Sequence, residues 1–440
     1  MIQRLFLKVG LIICLLSGFV MDAASQQQRF PKPEFQSGYQ IPTTQQPAPR
    51  APFMEYVDLF VLIAVMSLTT WLIFKKRSRK GILWLSLFSL AYFGFYRNGC
   101  ICSIGAIQNL SLSLFGNDYS ISYTVLAFFL LPLLFALAAG RVFCASACPL
   151  GAIQDIVIVK PIKMAPWLQK TLSLFPFVYL GLAVLYAATG TDFIICRYDP
   201  FVGIFRMGAE FHLILLGICF LLIGMFVARP YCRFVCPYGA LLKVTSFFTR
   251  KHLSITPEEC ISCHLCKDSC PFGAIDYPVV EKENKATRSD FRRFIVYMAL
   301  IPVLMFVGGL MVSSSYKVLS NAHPDVHLAN LLVSKPELMQ TSTNIDVVTF
   351  MSSGKSLKTL VSDATVIQGK FRVGGWYLGA FIGLVIGISL LNQVIFRKRS
   401  IYEANKGDCF SCGRCLDYCP VGKPEHPYHN TSKSDEDNGK

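Results

Sequence analysis

Residues 260–271 read Cys-Ile-Ser-Cys-His-Leu-Cys-Lys-Asp-Ser-Cys-Pro, and residues 409–420 read Cys-Phe-Ser-Cys-Gly-Arg-Cys-Leu-Asp-Tyr-Cys-Pro. Both have the C-x2-C-x2-C-x3-C-P spacing that folds around a cubane iron–sulfur cluster: three near thiolates take three corners and a distant cysteine takes the fourth. Where two such runs occur in one protein, the fourth cysteine of each serves the other cluster. This predicts two [4Fe-4S] clusters, one held by Cys260, Cys263, Cys266 and Cys419, the other by Cys409, Cys412, Cys415 and Cys270. Zinc sites or disulfides are the alternative. Zinc knuckles are usually built from separated C-x2-C pairs, which two identical four-cysteine runs closed by proline fit poorly.

A second set of cysteines recurs with its neighbours. Residues 141–155 (Arg-Val-Phe-Cys-Ala-Ser-Ala-Cys-Pro-Leu-Gly-Ala-Ile-Gln-Asp) match residues 229–241 (Arg-Pro-Tyr-Cys-Arg-Phe-Val-Cys-Pro-Tyr-Gly-Ala-Leu). A C-x3-C step puts both sulfurs on one helix face, so Cys144, Cys148, Cys232 and Cys236 form a candidate third centre, for an iron–sulfur group or another thiophilic metal. The competing reading is that small apolar cysteines simply pack at helix ends. A third set, Cys100, Cys102 and Cys196, with Asp199 nearby, repeats part of the pattern, including the Gly-Ala-Ile-Gln tail. It reads as a relay site, a disulfide or neither. Cys219 reads as packing within a span.

The elements that must position these sulfurs are membrane helices. Of 440 residues, 53% are hydrophobic, 35 are Phe and only 16% are charged, which describes an integral membrane protein rather than a soluble one. The net charge of +15 would suggest nucleic acid in a soluble chain, but most Lys and Arg here flank apolar runs, as orientation in a bilayer requires. Twelve of the 17 cysteines lie in C-x2-C or C-x3-C patterns, which suits metal ligation on the reducing side of a membrane better than a secreted disulfide scaffold.

In order, residues 1–25 read as a signal peptide or short anchor and 26–56 as an extracytoplasmic Gln/Pro-rich segment. Residues 57–245 form a five-span core, with spans at 57–74, 82–96, 123–139, 172–189 and 212–228. Residues 246–293 are one ferredoxin half. A span at 294–312, an extracytoplasmic segment at 313–373 and a span within 374–396 separate it from the other half at 397–425; a disordered tail covers 426–440. The basic runs at 75–80 and 397–399 mark the cytoplasm, and alternation through seven spans then puts both ferredoxin runs there together. The fold class expected is an all-α transmembrane bundle carrying a ferredoxin-like α+β module assembled from two separated segments. Within 313–373 there is no clear apolar period; His323 and His327 read as solvated, with Pro324 opposing a helix that would align them.

The combination of two C-x3-C-P loops and two ferredoxin runs, over about residues 60–419, resembles the polytopic membrane ferredoxins related to the quinol-dehydrogenase subunit of periplasmic nitrate reductase and to the membrane regulator of nitrous oxide respiration. The resemblance implies an electron-transfer protein of the bacterial cytoplasmic (inner) membrane. Its expected partners are the bilayer, a cytoplasmic or quinol donor and a periplasmic acceptor such as a flavoprotein or cytochrome, with any flavin supplied by that partner and no nucleic acid. The alternative is an accessory protein that reduces or delivers a metal cofactor during maturation of a respiratory enzyme. In either role the chain is a redox carrier rather than a stand-alone substrate-converting enzyme.

Overall fold

The computed structural model describes residues 52–99, 103–116, 119–162, 164–255, 260–278, 288–337, 344–394 and 401–421. The signal segment, Cys100, Cys102, the basic run at 397–399 and the tail lie outside them. Four of the expected spans are helices long and apolar enough to cross a bilayer: Phe53–Lys76, Pro166–Ala188, Phe291–Ser314 and Leu357–Leu391. Pro200–Arg206 and Phe211–Gly224 make a fifth if counted as one broken span, bent by 112°. The break follows Met207, which takes a left-handed backbone. The other two expected spans are shorter. Tyr123–Ala139 has 17 residues, and residues 82–96 lie in an α-helix, Arg79–Ser89, that continues as the π-helical turn Leu90–Tyr96.

The two C-x3-C-P loops begin where helices stop. Tyr123–Ala139 ends at Gly140, whose φ of 77° a side chain would resist, and the chain then makes one π-helical turn, Phe143–Ala147. Cys148 caps the next helix, Pro149–Ile156, with proline at its first turn, where a missing N–H costs nothing. The second repeat does the same after Phe211–Gly224: Arg229 adopts a left-handed backbone, Pro230–Phe234 makes a short helix, and Cys236 caps Pro237–Phe247. The second cysteine of each pair therefore sits at a helix boundary, followed by the proline that starts the next helix, while the first lies within the short helical turn before it.

Phe291–Ser314 packs along Leu357–Leu391, and a stripe of glycine decides how closely. Gly375, Gly379, Gly383 and Gly387 recur every fourth residue. A Cβ at Gly379 would lie 2.0 Å from the Gly308 carbonyl oxygen, and one at Gly383 2.3 Å from that of Leu304. Helices in lipid gain little from hydrophobic burial against each other, so small residues that let backbones touch carry the association.

At about 1.5 Å per residue, the 35 residues of Leu357–Leu391 reach about 52 Å, well beyond a hydrocarbon core of about 30 Å. The excess joins a small helical unit. Pro324–Ser334 and Ile345–Ser352 gather with the start of Leu357–Leu391 around Val326, Ala329, Leu332, Val347, Phe350, Leu360 and Ala364, while Tyr316–Ser320 packs by Leu185, Phe371 and Leu378. Residues 313–373 thus do have an apolar period, spread over helices too short to stand out in a polar background. Pro324 starts a helix rather than preventing one, because it occupies the first turn, and the His323 ring caps it by accepting the Asp325 N–H.

The two ferredoxin halves meet as expected. β1, Ile275–Asp276, pairs antiparallel with β2, Glu403–Ala404, and the Asn405 N–H donates to the Ala274 carbonyl at 2.7 Å. Their core is continuous with that of the membrane helices.

The glycine stripe makes a direct prediction. Gly379→Ala is expected to cost about 1–3 kcal/mol through overpacking. Gly369→Ala, in the same helix but with nothing within 4 Å of the added methyl, is expected to be neutral or slightly stabilising. Thermal denaturation in detergent separates the two.

Candidate metal centres

Each ferredoxin run makes the same local shape. Ser262 and His264 in the first, and Ser411 and Gly413 in the second, have φ between 51° and 73°. Left-handed residues on either side of Cys263 and Cys412 give each run the same turn, a backbone shape whose N–H groups suit negative charge. The Ser411 N–H donates to Cys409 Sγ at 3.4 Å.

Two cavities result. One is lined by Cys260, Cys263, Cys266 and Cys419, with Ile255, His264 and Tyr402. The other is lined by Cys409, Cys412, Cys415 and Cys270, with Phe272 and Phe410. These are the two crossed sets expected from spacing, each closed by the last cysteine of the other run. Among the described residues, no three His, Cys, Asp or Glu side chains converge as the ligands of one ion would. Four cysteines around a cavity beside such a turn instead suit a cubane, whose irons occupy separate corners. Burial pushes the thiols of Cys409 and Cys266 up to about 12 and about 11, so metal binding at these cages must release protons.

Beside the second cavity lie Cys144, Cys148, Cys232 and Cys236, all buried; burial first, and then the neighbouring thiols, push the pKa of Cys148, Cys232 and Cys236 up. Burial pushes Cys232 up to about 12 against the pull of Arg229. Gln154 Nε2 donates to Cys232 Sγ at 3.2 Å, the Gly239 N–H to Cys236 Sγ at 3.3 Å, and Arg141 Nη2 lies 3.9 Å from Cys144 Sγ. The glycine of each Cys-Pro-x-Gly makes room for the arginine of the other repeat. A Cβ on Gly151 would meet Arg229 Nη1 at 3.3 Å, and one on Gly239 would meet Arg141 Nη2 at 3.5 Å. The four thiols are therefore held by hydrogen bonds and charge that simple helix-end packing would not require.

Asp155, the last residue of the first repeat, ties this site to the ferredoxin module. Its carboxylate is 2.8 Å from Arg79 Nη2, 3.3 Å from Arg229 Nη2 and 3.4 Å from Arg414 Nη2. Burial alone would raise its pKa, but Arg229, Arg79 and Arg414 override burial and hold it well below the usual carboxylate range. Arg79 also donates to the Cys412 carbonyl at 2.7 Å, and Arg77 donates to that of Ile255. Two residues of the basic run after the first span thus dock the ferredoxin module.

Of the third set, only Cys196 lies among the described residues. Cys100 and Cys102 lie outside the described residues; Cys196 is exposed, its N–H donating to Gln108 Oε1 at 3.3 Å. Asp199 is buried and accepts from the Tyr231 hydroxyl at 2.9 Å, and Tyr231 immediately precedes Cys232. The loop carrying Cys196 and the four-thiol site are therefore joined through one hydrogen bond. Cys219 packs in the core as expected. Asp155, Gln154 and Tyr231 were visible in sequence only as companions of the repeated cysteines.

Family comparisons agree with this geometry. The 4Fe-4S binding domain family matches residues 121–174 and 211–256, which hold all four clustered thiols, and a second family with that description matches 253–276, the first ferredoxin run. An uncharacterized protein of Methanocaldococcus jannaschii is 29% identical over 195 residues, 41% of this chain and 76% of that protein. The regulatory protein NosR of Stutzerimonas stutzeri is 26% identical over 218 residues, 46% of this chain and 30% of its own length. The methylamine utilization ferredoxin-type protein MauN of Paracoccus denitrificans is 27% identical over 163 residues, 35% and 56% respectively. The chain thus spans under a third of NosR and just over half of MauN. No solved structure matches it.

The crossed cages predict crossed losses. Cys270→Ser is expected to perturb the electron paramagnetic resonance signal assigned to the Cys409 set and to spare that of the Cys260 set, with Cys419→Ser doing the reverse; each variant disturbing its own run would contradict the exchange.

His252 supplies a pH test of docking, because a Cβ on Gly140 would stand 3.4 Å from both its Nδ1 and Ser411 Oγ, where membrane core and module meet. Burial, with Lys406 nearby, lowers its pKa from 6.5 to about 4. In that window the unfolded chain binds a proton the folded chain refuses, so stability falls as pH falls. Melting temperature is expected to drop more steeply from pH 6.5 to about 4 in the unaltered protein than in His252→Gln.

Proposed function

We propose that this membrane ferredoxin-type protein, an iron–sulfur electron-transport protein similar to NosR and MauN, conducts electrons across the cytoplasmic membrane. Electrons enter from a cytoplasmic donor at the ferredoxin cages or from quinol. They pass the site of Cys144, Cys148, Cys232 and Cys236, and leave near Cys100, Cys102 and Cys196 to a periplasmic redox protein. Each bound cluster supplies one-electron storage at a potential set by its surroundings.

The residues of this chain do the rest. Eight cysteines hold two cages, and four more hold a third centre. Gln154, Gly239 and Arg141 orient the third set, while Asp155 and its three arginines keep the module docked. The observation that carries the reading is continuity: the second cage adjoins the four thiols across Phe272 and Phe410, whose rings are 4.7 Å apart, and the four thiols adjoin the Cys196 loop through Tyr231 and Asp199. A chain of sites through the broken helices removes the need for one long hop across about 30 Å. In support of a cytoplasmic module, Arg77 and Arg79 join it directly to the basic end of the first span.

Iron and acid-labile sulfide analysis with low-temperature electron paramagnetic resonance on anaerobically purified protein tests this reading. Cys144→Ser/Cys232→Ser is expected to remove iron and a signal beyond those of two cubanes, and to abolish transmembrane reduction in proteoliposomes. Unchanged iron and spectra in that variant would confine the redox chemistry to the ferredoxin cages.

A further inference from the structure

Arg229 is wholly buried, with 0% of its surface exposed, and touches both kinds of site at once. Its Nη1 donates to the Cys144 carbonyl, and its charge acts on Cys232, Cys412 and Cys144. On its other side the guanidinium faces the rings of Phe410 at 5.7 Å and Phe272 at 5.9 Å, the residues that follow Cys409 and the Cys270-Pro271 pair. A cation between the second cage and the four thiols, shielded from water, is weakly screened and acts on both.

The counter-charge is Asp155, 3.3 Å away. Asp155 is shared with Arg79, a membrane-core residue that donates to the Cys412 carbonyl, and with Arg414 of the module, the neighbour of Cys415. Asp155 therefore offsets part of the Arg229 charge and also fixes where that charge stands. Positive charge beside a redox centre favours the reduced form and raises its potential, while partial neutralisation lowers it again.

We propose that Arg229, positioned by Asp155, is a shared electrostatic determinant of the four-thiolate centre and the second ferredoxin cage, setting the potentials of both with one buried charge. The inference rests on reading Cys144, Cys148, Cys232 and Cys236 as a redox centre. Arg229 contacts no reacting partner from outside the protein, and Asp155 is a positioning residue acting through it. The cage of Cys260, Cys263, Cys266 and Cys419 lies outside this contact and serves as an internal reference.

Redox titration of the full chain, purified anaerobically and followed by electron paramagnetic resonance, tests it. Asp155→Asn leaves Arg229 uncompensated and is expected to shift the midpoint potentials of both adjoining centres upward, with a smaller shift at the Cys260 cage. Arg229→Gln is expected to shift both downward, and Arg229→Lys, which keeps the charge, to stay nearer the unaltered protein. Should Arg229→Gln fail to fold, Asp155→Asn with unchanged iron content carries the test. Potentials that do not move in Asp155→Asn, or that move at one centre alone, overturn this inference and leave the conduit standing. Absence of any signal from the four-thiol centre in the unaltered protein overturns the conduit reading and this inference with it.

Discussion

A guanidinium removed from water has to be met by an anion and by hydrogen-bond acceptors, and this protein's architecture is arranged around meeting that need at Arg229. Asp155 supplies the charge, the Cys144 carbonyl accepts a hydrogen bond, and two aromatic rings close the other side. Losing one member of such a cluster would leave a charge stranded at a cost of about 3–5 kcal/mol. The same carboxylate holds Arg79 and Arg414, so the ion cluster that satisfies one buried charge also fastens the ferredoxin module to the membrane helices. Docking and electrostatics are the same interaction seen from two sides.

Broken helices bring the loops of this centre together. Non-helical backbone is tolerated where protein surrounds it, and the two Cys-x3-Cys-Pro loops are buried against each other. Discontinuous helices in repeated units commonly bring functional groups to the centre of a membrane fold. Here they bring four thiols together, and they also carry Tyr231 to Asp199, which closes the distance between loops that the chain alone would put far apart.

Leu357–Leu391 and Phe291–Ser314 stand somewhat apart from this centre. Their contact depends on backbone approach at glycine rather than on ion pairs, and their role in the assembly is to separate the two ferredoxin halves in sequence while β1 and β2 rejoin them in space. The helical unit around Val326, Phe350 and Leu360 is a satellite of that pair with a core of its own.

The cysteine runs were legible from spacing alone, because a cubane imposes its geometry on the chain that holds it, and the crossed sets follow from that chemistry. Four long spans were legible because a hydrocarbon core of about 30 Å demands a long apolar helix, and the repeated Arg, Cys, Pro and Gly marked the third site. The shorter and bent helices were not, since apolar runs do not reveal where a left-handed residue such as Arg229 or Met207 breaks them. Nor was the helical unit around Val326, Phe350 and Leu360, whose apolar residues are few and divided among short segments. Only the tertiary structure decided that Asp155 collects three arginines and that the Cys196 loop touches Tyr231. Burial and ion pairing join residues remote in sequence, and no local pattern encodes which distant charge will answer a buried one.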